Sequence, residues 1–475
     1  MKVHVLGREL FVLFYCKGYL AVALGTEKQT EQFRLFLSSM KRINKSFLSC
    51  FFFLVCMTAS AYDCEIAGVY YNLYTKNNTA SVTYLYQNSR NQSAYKGKVA
   101  IPSSITYGGK TYSVTSIDQY AFQYCDKLTS ISIPPSITTI EGMAFYGCDG
   151  LTAVHVTDLE AWCNISFSYA SGNPLFKAHH LYINGKEVKD LVIPDGVTYI
   201  GTEAFAGCSG LTSVTIPNSV EFIGDVAFEQ CRNLSSITIP SSVTSIGLAP
   251  FADCNLTSIV VQEGNPEYDS RDNCNAIIET ATNILIMGCN KTIIPKDIIE
   301  IAKGAFYGCE ELEFMNIPNN VEIIGEWAFA LCDNLSSVIL PSSVTTIGEY
   351  AFYYCIELSD IYCHAEIVPE TGSDVFDDVQ KKNVILHVPS SSINDYKSAS
   401  PWNEFGKIVA LTDEDINMNI VHATTQSPIP IGYYSLDGQK HIFLQKGVNI
   451  IKYNDGTEKK VLKKKAPSYD MNPES

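Results

Sequence analysis

Over most of the chain, apolar and hydroxyl residues alternate for several positions, the alternation halts at a proline, and apolar residues return at wider spacing before an Ala-Phe pair. Leu211-Thr212-Ser213-Val214-Thr215-Ile216 is one such run. A period of two puts Val214 and Ile216 on one face and Ser213 and Thr215 on the other, as a half-buried strand requires. Pro217 has no N–H to donate, so the ladder must stop there, and Asn218-Ser219 supply turn chemistry. Val220, Ile223, Ala227 and Phe228 then bring the chain back inside, with Gly224 expected to ease a turn and Ala227 to permit close backbone approach. The pattern predicts short strands and turns in units that bury their apolar face only by stacking on one another.

The units recur with a fixed length. Ala-Phe-x-x-Cys or a near copy stands at Ala121-Phe122/Cys125, Ala144-Phe145/Cys148, Ala204-Phe205/Cys208, Ala227-Phe228/Cys231, Pro250-Phe251/Cys254, Ala305-Phe306/Cys309, Ala328-Phe329/Cys332 and Ala351-Phe352/Cys355. Five of the seven intervals are 23 residues and the others are 60 and 55, so each long gap is read as one degenerate unit with an insertion, at about 157–190 and 262–292. A period of this size marks a leucine-rich repeat, and hence a solenoid whose parallel β-sheet is closed by short turns or helical returns. The repeated Phe should form an internal aromatic ladder at the spacing of stacked strands, about 4.8 Å. The repeated Cys reads as a small buried hydrophobe in a matching ladder, since no His accompanies it at metal-ligand spacing.

The phrase Leu-Thr-Ser-Val-Thr-Ile-Pro-Asn-Ser-Val…Ile-Gly…Ala-Phe…Cys, at 211–231 and again at 335–355, resembles the BspA-like leucine-rich-repeat surface proteins, and the likeness covers about residues 62–411. The interruptions Asn173-Pro174-Leu175 through Gly185 and Asn265 through Ile277 are similar to those of relatives from Bacteroidota. The resemblance implies an exported protein, an adhesin for host matrix proteins or other cells, with no catalytic residues to carry over. It also implies an N-terminal β cap over 62–111, a solenoid over 112–411, and an end closed by Val384 through Val388, Tyr396 and Trp402.

The flanks alter the picture. Met40-Lys41-Arg42-Ile43-Asn44-Lys45, the apolar stretch Phe47 to Met57 and Ala59-Ser60-Ala61 compose a signal peptide over 40–61 with cleavage before Tyr62, so 1–39 reads as a mis-assigned start. The apolar stretch is too short to span a bilayer, which leaves no transmembrane span in the mature chain. Cleavage removes eight Lys/Arg and three Asp/Glu and shifts the net charge from −16 to −21, which argues against nucleic acid as a partner. Thirteen cysteines remain, an odd number that does not suit a fully paired disulfide framework. After a linker at 412–427, Tyr433 through Lys440, Gln445 through Ile451 and Asp455 through Leu462 read as short strands of a small C-terminal β module over 428–465. The module resembles the sorting-related segments of exported Bacteroidota proteins, carries eight Lys between Lys440 and Lys465, and is followed by a tail at 466–475.

Recognisable catalytic spacings are missing: the sequence has no Gly-x-Ser-x-Gly, His-Glu-x-x-His, phosphate loop or Cys-x-x-Cys, so no enzyme, cofactor or metal is expected. His179-His180 reads as a solvated loop, and Asp377-Asp378 as ordinary surface acids. Function should then lie on the outward strand positions, which are Ser and Thr in the early units. The later units place Val260, Phe314, Ile339 and Tyr362 there, with Asn316 beside Phe314, and these five compose the expected protein-partner site. The function that follows is non-catalytic protein binding at or beyond the cell surface, or alternatively a structural scaffold of the envelope.

Overall fold

A computed structural model of the chain describes residues 62–85, 94–168, 172–413 and 415, and the backbone alone of strands within 2–25 and 430–463. The signal-peptide segment 40–61, the linker beyond Asp415 and the tail 466–475 lie outside the described residues.

Each 23-residue unit makes one coil of a β-solenoid, and the coils stack in parallel. The alternating runs form the first side: Ser130, Ile131 and Ser132 pair with Ala153, Val154 and His155, one unit on. Five consecutive strands, Phe314–Asn316, Ser337–Leu340, Asp360–Cys363, Ile385–Val388 and Lys407–Ala410, make the longest continuous stretch of this kind in the later coils. A second parallel ladder runs through two-residue strands such as Phe222–Ile223 and Ser245–Ile246, or Ile323–Ile324 and Thr346–Ile347. The hydroxyl-rich composition serves the stacking as well as the surface. Ser219, Ser242 and Ser343 each donate to a valine carbonyl of the preceding coil at 2.6–2.8 Å, satisfying acceptors that the stack would otherwise bury.

The glycine that follows this second strand has a different role from the turn expected of it. At Gly224, Gly325, Gly348 and Gly372 an added Cβ would stand 2.4–2.5 Å from a backbone nitrogen of the preceding coil. Close approach between coils, not a left-handed turn, selects glycine at these positions.

The third side is the Ala-Phe turn, and it is neither strand nor helix. Gly304, Phe306 and Gly308 donate their N–H groups to the Glu326, Ala328 and Ala330 carbonyls of the next coil at 2.9, 2.7 and 2.9 Å. Left-handed residues just before the Ala and just before the Cys recur from coil to coil and aim these donors along the axis. Inside the turn, buried Phe rings stack face to face, Phe306 on Phe329 at 4.9 Å and Phe329 on Phe352 at 5.2 Å. The column gains a ring that the sequence pattern hides, because Phe376 stacks on Phe352 at 5.6 Å within Val375-Phe376-Asp377-Asp378-Val379, where valines replace the Ala and the Cys. Trp402 and Phe405 close the column edge-on against Phe376.

The cysteines form the expected buried ladder, and the thirteen described are all free thiols. Their position has a polar reason too. The thiols of Cys231, Cys254, Cys332 and Cys355 each donate to the Phe carbonyl of the preceding coil at 3.1–3.3 Å. Burial raises the pKa of the Cys231, Cys332 and Cys355 thiols, and that of Cys208 to about 12, which keeps them protonated and able to donate.

The two interruptions differ. The first holds the short helices Leu159–Cys163 and Leu175–Ala178 and a hairpin of Leu181–Ile183 with Lys186–Glu187. Trp162 bridges this break through a 2.9 Å bond from its Nε1–H to the Ala204 carbonyl. The second is an antiparallel meander, Tyr268–Asp269, Ile277–Glu279 and Ile284–Met287, whose last strand rejoins the parallel ladder beside Glu300–Ile301. Here the buried apolar residues divide into two clusters. Residues 430–463 contain a separate antiparallel sheet of four strands.

Candidate functional site

The outward strand positions fall where the alternation puts them, with one correction. Phe314, Asn316 and Tyr362 are half-buried on the outer face of the five-strand sheet, and Val260 is 44% exposed. Ile339 is 0% exposed and offers no surface to a partner. Register explains the difference. Ile339 lies between Asn316 and Tyr362 in one cross-strand row, and Tyr362 in turn stacks on His387 at 4.3 Å. The chain beyond Ala410 also returns to this face, where the buried Asp415 carboxylate comes within 3.7 Å of His387 Nδ1. Val260 belongs elsewhere, since Ser258–Val261 pairs only with Ser236–Ile239 and the second interruption separates it from Phe314. Thus Phe314, Asn316 and Tyr362 gather around a buried Ile339, and Val260 stands apart.

Other sequence candidates have structural partners. His179 Nδ1 lies 3.0 Å from the Gly207 carbonyl and His180 Nδ1 2.8 Å from Glu187. Among the described residues no group of His, Cys, Asp and Glu could hold a metal ion, and no helix is long and apolar enough to cross a membrane.

A second surface, which the alternation did not reveal, lies on the Ala-Phe turns. The left-handed position before the Ala is Gly304 in one coil, Trp327 in the next and Tyr350 in the one after, with φ of 65°, 56° and 55°. Tyr354 holds the second such position at 59°, equivalent to Gly308 at 71°. A bulky residue in this conformation costs about 1–2 kcal/mol relative to one that fits it freely. Earlier coils fill the first position with Tyr120, Met143, Glu203, Val226 and Ala249, so the fold accepts residues of very different size there and does not itself require Trp or Tyr. Trp327 stacks on Tyr350 at 4.3 Å and meets Tyr353 edge-on at 5.6 Å, with Tyr307 at 6.5 Å and Tyr354 6.0 Å beyond Tyr353.

Acidic residues surround these rings. The turns at 303–311, 326–333, 349–357 and 373–378 carry nine Asp and Glu against a single cation, Lys303, which pairs with Glu326 at 2.5 Å. The Asp374 charge raises the Tyr350 phenol pKa, and a hydrogen bond to Asp378 raises that of Tyr353. Asp377-Asp378, which the sequence presents as ordinary surface acids, thus flank an aromatic cluster. Near Tyr307, burial and then the Asp253 charge push Glu229 up to about 7, although Arg232 sits 2.7 Å from Asp253. A carboxyl raised in the folded state stabilises the fold below its unfolded pKa, near 4.5, and that contribution is lost as pH rises through about 7. Glu229→Gln should therefore flatten the fall in melting temperature between about pH 5 and pH 8, and an unchanged slope in thermal melts would remove Glu229 as its source.

The BspA type leucine rich repeat region matches the chain in six copies over residues 91–173, 179–280 and 286–398. Among solved structures, the chain is similar to a leucine rich cell surface protein from Faecalibacterium prausnitzii A2-165, at 25% identity and a TM-score of 0.47 over 76% of this chain and 98% of that one. It is also similar to the pneumococcal vaccine antigen PcpA, at 20% identity and a TM-score of 0.42 over 74% and 98% of the two chains. A leucine-rich repeat protein from Bacteroides ovatus ATCC 8483 matches at 21% identity and a TM-score of 0.28 over 74% and 100%. No curated protein matches the chain.

Proposed function

This chain belongs to the BspA-type leucine-rich-repeat family, and on that footing we propose that it is an exported, non-catalytic protein binder acting as an adhesin at or beyond the cell surface. The observation that carries this reading is the outer face of the five-strand sheet. Its inward residues Met315, Val338, Ile361 and Leu386 are all buried and complete the core. Apart from the buried Ile339, its outward residues serve no such need, yet they include Phe314, Tyr362 and Ile385 where most of the earlier coils carry Ser and Thr. Aromatic groups on an otherwise hydroxyl surface are what a protein interface concentrates. The signal-peptide pattern at 40–61 supports export, and the interruptions support a Bacteroidota-type member of the family.

The test is adherence of cells that export the chain to surfaces coated with host matrix proteins. Wild-type cells should adhere above non-expressing cells, and the double substitution Phe314→Ser/Tyr362→Ser should reduce adherence about tenfold while the circular dichroism melt of the purified protein stays cooperative. Equal adherence of expressing and non-expressing cells would overturn adhesion and favour an envelope scaffold. Unchanged adherence of the double variant would move the contact off this face.

A further inference from the structure

The aromatic cluster on the Ala-Phe turns has a geometry of its own. Trp327 and Tyr350 are stacked side chains from consecutive coils, both on the backbone position that Gly304 fills at no cost in the coil before Trp327. Tyr353 stands edge-on to each of them, at 5.6 Å from Trp327 and 5.7 Å from Tyr350. All three are half-buried, so part of every ring remains open, and Tyr354 extends the cluster at 38% exposure. The negative faces of aromatic rings attract cations, Trp most strongly. Nine acids, against Lys303 paired with Glu326 on the same turns and Arg232 reaching Glu310 at 3.4 Å from an earlier coil, leave a net long-range field of the same sign. A neutral sugar or an apolar helix would gain nothing from that field, and an acidic partner would be repelled.

We propose that the Trp327–Tyr350–Tyr353 platform binds the Lys and Arg side chains of a basic segment of a partner protein, holding the cationic heads over the rings and among the surrounding carboxylates. The proposal rests on the protein-binding reading above and adds to it a second surface and the chemistry of what that surface takes. The carboxylates that flank the rings are Glu349, Asp374, Asp377 and Asp378.

The chain provides its own reporter. Of its three tryptophans, Trp162 is 1% and Trp402 0% exposed, so a change in tryptophan fluorescence on ligand addition reports Trp327. A nona-arginine peptide titrated into the full chain should change that fluorescence saturably, with an affinity that falls as salt rises. A Gly-Ser peptide, an oligoglutamate and a neutral glucan oligosaccharide should leave it unchanged. Trp327→Gly places glycine where Gly304 already sits in the coil before and leaves every acid in place; Tyr350→Ser removes the stacking partner. By anisotropy of labelled peptide, each should bind about tenfold more weakly. Binding of nona-arginine that both variants retain at full strength would reduce the site to bulk charge and overturn the platform. A response to the glucan in place of the peptide would overturn the cationic ligand. Fluorescence that shifts with salt alone and ignores the peptide would mean that the chain's own lysines at 440–465 occupy the rings, and would overturn a partner in trans. Failure of the unsubstituted chain to bind nona-arginine, with adherence through Phe314 and Tyr362 intact, would overturn this platform and leave the adhesin reading standing.

Discussion

A Gly348→Val chain should be destabilised by about 3–5 kcal/mol, because the added side chain meets backbone that cannot yield. The first Cβ atom alone would stand 2.4 Å from the Glu326 nitrogen and 2.6 Å from the Gly325 carbonyl carbon. These are backbone atoms of the coil beneath, so no side chain can swing aside. Relief requires the coils to separate, and two inter-coil bonds resist it: Gly348 N–H to the Ile324 carbonyl at 2.7 Å, and Trp327 N–H to the Glu349 carbonyl at 2.9 Å. Overpacking costs about 1–3 kcal/mol and each weakened bond about 1 more. Gly185→Ala is the matched control. Gly185 has φ of 80° and nothing within 4 Å of the added carbon, so it should lose only about 1–2 kcal/mol, the cost of the left-handed backbone. Urea midpoints of the two variants measure the contrast. A Gly348→Val midpoint as close to wild type as that of Gly185→Ala would show that the coils are not held at contact distance.

The sequence carried the period, the stacking register, the strand face and the buried Phe and Cys ladders, because each follows from a residue type that recurs every 23 residues. Elsewhere the pattern was silent for physical reasons. The second parallel ladder is made of two-residue strands, too short for a period of two to appear. Phe376 escaped because its neighbours are Val375 and Val379, which fill the Ala and Cys positions without matching the signature. Alternation assigns Ile339 to the outer face correctly, but whether an outward residue meets water depends on the cover that Asn316 and Tyr362 give it from the strands on either side. The turn-side aromatic cluster was the hardest to see, since Trp327 and Tyr350 hold conformations that their residue types disfavour. Their one sequence signal is alignment on the 23-residue period with Gly304.

Phe329→Ala tests how far damage to one coil travels. The ring is 0% exposed and lies between Phe306 at 4.9 Å and Phe352 at 5.2 Å, so truncation leaves a cavity walled by two stacked rings that cannot close without bending the column. Large-to-small changes of this kind cost about 3–5 kcal/mol. In a solenoid each coil touches only its neighbours, so the loss is local unless the core is continuous. Here the buried apolar residues form two clusters that meet at the second interruption, Phe228 and Phe251 belonging to the first and Phe306, Phe329 and Phe352 to the second. Amide hydrogen exchange in Phe329→Ala should accelerate throughout the coils from Phe306 to Phe405, while the coils from Phe122 to Cys231 keep wild-type protection. Equal acceleration on both sides would make the solenoid one cooperative unit, with the meander at 262–292 transmitting strain across the break between the clusters.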